Sequence, residues 1–140
     1  VTPQFPLNFR RNRPIGRTQE ENMPMNVLVV DDNRTLANTV SRIFKRNGHQ
    51  VVVAYGVEEA LDAAHSDNQF DLIVSDVMMQ DGTGADLHRK LRPELGNKVV
   101  FHTGGMFDND ARNYVLATGL EVIVKTDNRR LLALARSGVR

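Results

Sequence analysis

The stretch Val27-Leu28-Val29-Val30-Asp31-Asp32-Asn33 decides how this chain is read, because four apolar residues run straight into two acids. An apolar run with the same character on both faces is what a strand needs when it is buried between two helical layers. Four more runs follow, at Val51-Val52-Val53-Ala54, Leu72-Ile73-Val74, Val99-Val100-Phe101 and Val122-Ile123-Val124. Between them apolar residues recur at helical spacing. The stripes are Leu36, Val40, Ile43 and Phe44; Val57, Ala60, Leu61 and Ala64; Leu87 and Leu91; Ala111, Tyr114 and Val115; and Leu131, Leu134 and Ala135. Asn47-Gly48 marks the end of the first helix, while Asp108 and either Asp127 or Asn128 are placed to cap the last two.

The alternation predicts an α/β fold of five strand–helix units over residues 26 to 136. Right-handed crossovers put helices on both faces of an open parallel sheet. A five-stranded, flavodoxin-like doubly wound sheet with five helices has the order 2-1-3-4-5, so strands 1 and 3 flank the switch point. Residues 1 to 25 differ in kind. Pro3, Pro6, Pro14 and Pro24 punctuate polar sequence with no sustained period, which predicts a linker or tail. Residues 4 to 9 are the one piece of it with strand character. Residues 137 to 140 form a short carboxy-terminal tail.

Composition bounds the function. The 140 residues suffice for one domain with a proper core and not for two. There is no cysteine, which excludes disulfides, thiolate metal sites and cysteine nucleophiles. No apolar run approaches the roughly 18 residues of a membrane span, and the first residues lack the apolar core of a signal peptide. The chain opens on Val1 and reads as a segment of something longer. Of 18 Lys and Arg residues four lie in residues 1 to 25, as do two of 17 Asp and Glu, so that arm carries +2 and the remainder −1. A near-neutral domain with a mildly basic arm lacks the cationic face of a nucleic-acid binder, and no direct nucleic-acid contact is expected.

Ligands of doubly wound sheets bind at the carboxyl ends of the strands, at the switch point. Strand 1 ends in Asp31-Asp32, strand 3 in Asp76, strand 4 in Thr103 and strand 5 in Lys125. With strands 1 and 3 adjacent, the three carboxylates converge. Like charges about 4 Å apart repel by roughly 4 kcal/mol at an effective dielectric near 20, so the set calls for counter-charge. All-oxygen ligands with room for water suit Mg²⁺ better than Ca²⁺, and Lys125 supplies a second cation. Together they would stabilise charge on a transferring phosphoryl group, with the Thr103 hydroxyl as a donor to its oxygens. His49, His65, His88 and His102 show no metal-ligand spacing and read as structural or exposed; His102 should face away from Thr103 because strand side chains alternate. Met106, Phe107 and Tyr114 read as core or rim packing rather than a partner surface.

These residues carry a resemblance. Residues 27 to 33, Asp71-Leu72-Ile73-Val74-Ser75-Asp76-Val77-Met78-Met79 with Gly84 eight places after Asp76, residues 99 to 105, and Val122-Ile123-Val124-Lys125 resemble, in order, the response-regulator receiver domain of two-component signalling. The resemblance covers residues 26 to about 136. It implies that Asp76 accepts a phosphoryl group from the phosphohistidine of a histidine kinase or histidine phosphotransfer domain. It also implies that Asp32 binds Mg²⁺ directly, Asp31 largely through water, and Met78 through its backbone carbonyl, while Thr103 and Lys125 bind the phosphoryl oxygens. It implies a cytoplasmic signalling protein rather than an enzyme. With the fold ending near Arg136 and a tail upstream, the expectation is the carboxy-terminal receiver of a hybrid histidine kinase, with a stand-alone regulator or a segment of a larger transcription factor as the alternatives.

Three positions depart from the family pattern. Gln80 stands where proline usually follows Met79, Thr126 where proline usually follows Lys125, and Val122 where an aromatic residue usually rotates with the switch threonine. Competing readings fare less well. A haloacid-dehalogenase-like phosphatase wants a second acid two residues after its nucleophile, where Met78 stands. A flavodoxin-like cofactor binder wants a phosphate cradle after strand 1, where Asp31 and Asp32 would repel one. The alternative that the departures keep open is a receiver-fold module that binds partners without phosphorylation.

Overall fold

The computed structural model describes residues 23 to 105 and 108 to 137. Met106 and Phe107, and the strand considered at residues 4 to 9, lie outside the described residues. In chain order the elements are β1 (Asn26–Val30), α1 (Arg34–Arg46), β2 (Gln50–Ala54), α2 (Val57–Ala64), β3 (Leu72–Ser75), β4 (Met78–Met79) and β5 (Gly82–Thr83). They continue with α3 (Gly84–Lys90), α4 (Pro93–Gly96), β6 (Val99–Thr103), α5 (Asn109–Thr118), β7 (Val122–Val124) and α6 (Asn128–Ser137).

β1 takes the centre because its side chains suit burial on both faces. Val27, Leu28, Val29 and Val30 are almost wholly excluded from solvent. It pairs in parallel with β2, from Asn26↔Gln50 to Val30↔Ala54, and with β3, from Val27↔Leu72 to Val30↔Ser75. β6 continues the sheet on β3, and β7 on β6, giving the order β2-β1-β3-β6-β7. Since β6 and β7 are the fourth and fifth strands of this sheet, that is the expected 2-1-3-4-5. Alternation along each strand divides the core in two. Val27, Val29, Val74 and Ile123 pack under α1 and α6, against Val40, Phe44, Leu131 and Leu134. Leu28, Val30, Ile73 and Phe101 pack under α2, α3, α4 and α5, against Ala60, Leu87, Leu95 and Val115.

Local chemistry sets the helix ends where the sequence marks them. Asn33 Oδ1 accepts the Leu36 N–H at 3.1 Å, and Gly48 follows α1 with φ of 91°. Asp108 Oδ1 accepts the Ala111 N–H at 2.8 Å at the start of α5. Three features differ from expectation. There are six helices among the described residues rather than five, because Arg92-Pro93 opens the one-turn α4, too short to show a periodic stripe. The β4–β5 hairpin pairs only Met78↔Thr83 and Met79↔Gly82, again below the length at which alternation is legible. Third, the outer runs are not buried on both faces: Val52 in β2 and Val122 and Val124 in β7 are 36–46% exposed, because edge strands have a neighbour on one side only.

Met25, on the linker side of the expected boundary, is buried against the sheet and joined to His49. His49 Nδ1 accepts the Met25 N–H at 2.9 Å, while Nε2 lies 2.6 Å from the Ala135 carbonyl. A neutral ring protonated at Nε2 satisfies both partners and clasps the approach to β1 onto α6. Burial pulls the His49 pKa below its ordinary 6.5, against the opposing pull of the Ala135 carbonyl and Asp71. The unfolded chain therefore takes up this proton first as pH falls. Stability from the clasp is full above the unfolded pKa and is lost below it. Thermal unfolding should accordingly show a melting temperature that declines from about pH 8 to about pH 6. His49→Phe should be less stable at the upper pH and decline less steeply; equal slopes for the two chains would refute the clasp.

A candidate acidic phosphoryl site

All five strands of the main sheet run the same way, so their carboxyl ends share one edge, and the ladder reaches past the strands to hold the residues there. The Asp31 N–H donates to the Ala54 carbonyl at 3.1 Å, the Asp76 N–H to Val30 at 2.8 Å, and the Lys125 N–H to Thr103 at 2.7 Å. Because β1 and β3 are neighbours, one carboxylate oxygen from each of Asp31, Asp32 and Asp76 lies within 4.8 Å of the other two. Asp31 and Asp76 are buried and Asp32 half-buried.

Lys125 is the counter-charge. Its Nζ stands 3.0 Å from Asp76 Oδ2 in a hydrogen bond and 2.9 Å from Asp31 Oδ2. The contact to Asp31 is an ion pair without hydrogen-bond alignment, and this buried oxygen has no other donor among the described residues. Asp31 Oδ1 accepts the Asn33 N–H and Asp76 Oδ1 the Val77 N–H, at 2.9 and 2.8 Å. Burial, then the negative charge of Asp31, pushes the Asp76 carboxyl up to about 6, with Lys125 pulling the other way. Burial disfavours the Lys125 ammonium, but Asp31 and Asp76 outweigh it and its pKa is raised. One ammonium thus pairs with the two buried carboxylates of a cluster of three. Three clustered carboxylates against one ammonium form an all-oxygen donor set with excess negative charge, and that chemistry fits a hard divalent cation. Oxygens around Mg²⁺ stand about 3 to 4 Å apart, within reach of this spread by small adjustments or a bridging water.

Thr103 ends β6 on the face that carries Phe101, two residues earlier. It is buried, and its Oγ1 accepts the Gly105 N–H at 3.1 Å. Buried His102 points the other way, as alternation requires, and burial lowers its pKa, as does the nearby Lys125 charge. Met78 lies in β4 at the rim, with a side chain 37% exposed. Val122 pairs with Phe101 across the β6–β7 ladder and its side chain is exposed. No cis peptide occurs among the described residues.

Several contributors to this edge were not legible in sequence. Asp81 reaches across to α2, accepting the Val57 and Glu58 N–H groups at 2.9 and 3.2 Å, and these hydrogen bonds hold its carboxyl below the ordinary value. Its only local signal was an Asp-Gly turn. The Gln80 N–H donates to Asp32 Oδ2 at 2.9 Å. On the α5 side, His88 Nδ1 is 2.8 Å from the Tyr114 hydroxyl, and the Arg89 guanidinium lies over the Tyr114 ring, 4.4 Å from its centre, tying α3 to α5. Gly84 was marked only by its spacing from Asp76. A Cβ there would stand 2.5 Å from the Asp76 carbonyl oxygen and 3.3 Å from the Phe101 ring, so α3 begins in direct backbone contact with the acidic site. Gly84→Ala must push these apart and should cost on the order of 2 kcal/mol in urea unfolding. An unchanged midpoint would mean that the contact yields freely.

With the geometry in place, similarity to known proteins becomes informative. The family model of the response regulator receiver domain matches residues 27–136. Response regulator MprA of Mycolicibacterium vanbaalenii is 41% identical over 70 residues, 50% of this chain and 30% of that protein. The matched stretch is thus under a third of that relative's length. Among solved structures, the response regulator receiver protein from Pseudomonas putida superposes with a TM-score of 0.70 at 29% identity, covering 79% of this chain and 94% of that one. A response regulator from Burkholderia pseudomallei, described with a phosphorylated aspartic acid, a calcium ion and citrate, gives 0.65 at 26% identity, covering 81% and 66%. The matched segment runs from the first strand to the last helix and takes in every residue of the acidic edge: the chain belongs to the response regulator receiver domain family.

Proposed function

We propose that this chain is a phospho-accepting receiver of a two-component phosphorelay, with Asp76 as the acceptor and Mg²⁺ as the cofactor. The observation that carries the reading is Lys125 held between Asp31 and Asp76 at 2.9 and 3.0 Å, beside Asp32 at the ends of adjacent strands. The donor is the phosphohistidine of a histidine kinase or a histidine phosphotransfer domain, and the setting is cytoplasmic. Among the described residues no helix is long and apolar enough to cross a membrane. The phosphorylated aspartic acid named for the Burkholderia pseudomallei relative is the same chemistry on a similar fold.

An Asp76 carboxylate oxygen attacks phosphorus, the P–N bond of the phosphohistidine breaks, and the electron pair leaves with the imidazole as the acyl phosphate forms. At neutral pH a carboxyl with a pKa near 6 is about nine-tenths ionised, so the nucleophile is available. Asp31, Asp32 and Asp76, with the Met78 carbonyl, would hold Mg²⁺, which supplies counter-charge to the phosphoryl oxygens. Lys125 exchanges part of its pairing with Asp76 for a phosphoryl oxygen as the carboxylate becomes an ester-like group. Thr103 donates its hydroxyl to another such oxygen, giving up its acceptance of the Gly105 N–H or sharing it.

Incubation with acetyl phosphate and Mg²⁺ should add one acid-stable, base-labile phosphoryl group by mass, and Asp76→Asn should not be modified. An unmodified wild-type mass would favour a partner-binding role without phosphorylation. Proton competition gives a second check. The cation needs the ionised Asp76, so apparent Mg²⁺ affinity, read by calorimetry, should hold above pH 7 and weaken as pH falls through about 6. A flat profile across that range would rule out Asp76 as a ligand.

A further inference from the structure

The β4–β5 hairpin presses on the acidic edge from above, and its turn is made of Gln80 and Asp81, since Met79 pairs with Gly82. Both turn residues reach away from the hairpin. Asp81 accepts two N–H groups from the first turn of α2. On the other side the Gln80 backbone N–H donates to Asp32 Oδ2 at 2.9 Å, across 48 residues of sequence. The bond engages one of the two carboxylate oxygens of Asp32, Oδ2. The turn is thereby pinned between α2 and the carboxylate that ends the β1 segment. A proline at position 80, the residue that the receiver pattern usually has there, could not make this bond, because it has no N–H.

We propose that the Gln80 backbone amide is a positioning group for the cation ligand Asp32. It fixes one carboxylate oxygen and so leaves the other oriented toward the cation, with the Asp81–α2 contact holding the amide in place. The inference rests on the cation reading of the acidic edge and adds a residue to it. A carboxylate held by a charge-assisted hydrogen bond loses less freedom when it takes up a cation than one free to rotate. The departure from proline at this position is then a working part of the site.

The test compares Mg²⁺ binding by calorimetry for the wild-type chain, Gln80→Ala and Gln80→Pro, with thermal unfolding in EDTA as the control for folding. Gln80→Ala keeps the N–H and should bind within about twofold of wild type. Gln80→Pro should bind about fivefold more weakly, the loss expected when water replaces a solvent-exposed charge-assisted hydrogen bond. Equal affinities for the two variants overturn the positioning role while leaving the cation site standing. A wild-type chain that binds no Mg²⁺ overturns the cation reading and the positioning role together. If Gln80→Pro unfolds, the wild-type bond is read directly instead. The Gln80 amide proton should resonate downfield and move upfield in Asp32→Ala, and an amide that does not move overturns the proposal.

Discussion

The half-buried Lys125 ammonium between two buried carboxylates governs the acidic edge of this protein. Lys125 reaches from the end of β7 across β6 to Asp76 at the end of β3 and to Asp31 beyond β1. Without it, two carboxylates in a poorly solvated pocket would repel each other and one would be protonated at neutral pH. With it they remain paired but not balanced, since Asp32 adds a third negative charge. That residual negative charge on clustered oxygen donors makes the edge receptive to a hard cation. The lysine orders the pocket and leaves its charge unfinished.

The scaffold makes this arrangement affordable by placing every participant on rigid backbone. Parallel pairing continues one residue past β1, β3 and β7, so Asp31, Asp76 and Lys125 sit on ladder positions rather than in free loops. α3 begins on the carbonyl of Asp76, where only glycine allows the approach. The rim is built differently. The Gln80-Asp81 turn is tied by polar contacts to Asp32 and α2, and these are partly solvated. The acidic edge thus has a firm floor of sheet backbone and a polar-tethered rim.

The family's aromatic relay is absent at Val122, which lies exposed beside Phe101 in the ladder. Phe101 is instead the buried ring on the Thr103 face, in tilted contact with His88, which in turn meets Tyr114 of α5. Phe101, His88 and Tyr114 therefore form a polar–aromatic seam between β6, α3 and α5, while β7 offers only aliphatic side chains. Neither His88 nor Tyr114 advertised this in sequence, since partners 26 residues apart on separate helices carry no shared spacing.

Periodicity by itself determined the strand–helix alternation and the parallel sheet, while the strand order was the one common to doubly wound sheets of five strands. Buried strands demand apolar residues on both faces, and crossovers have one hand. It also placed Asp31, Asp32, Asp76, Thr103 and Lys125 at strand ends, because a strand's end is a local event. The one-turn α4, the two-residue hairpin strands and the half-exposed edge valines escaped it, being too short for a period or dependent on which strand has a neighbour. What only the tertiary structure decided was pairing: which carboxylates share Lys125, why Gly84 must lack a side chain, and which amide holds Asp32. Those are distances between atoms far apart along the chain, and no local pattern encodes a distance that packing alone creates.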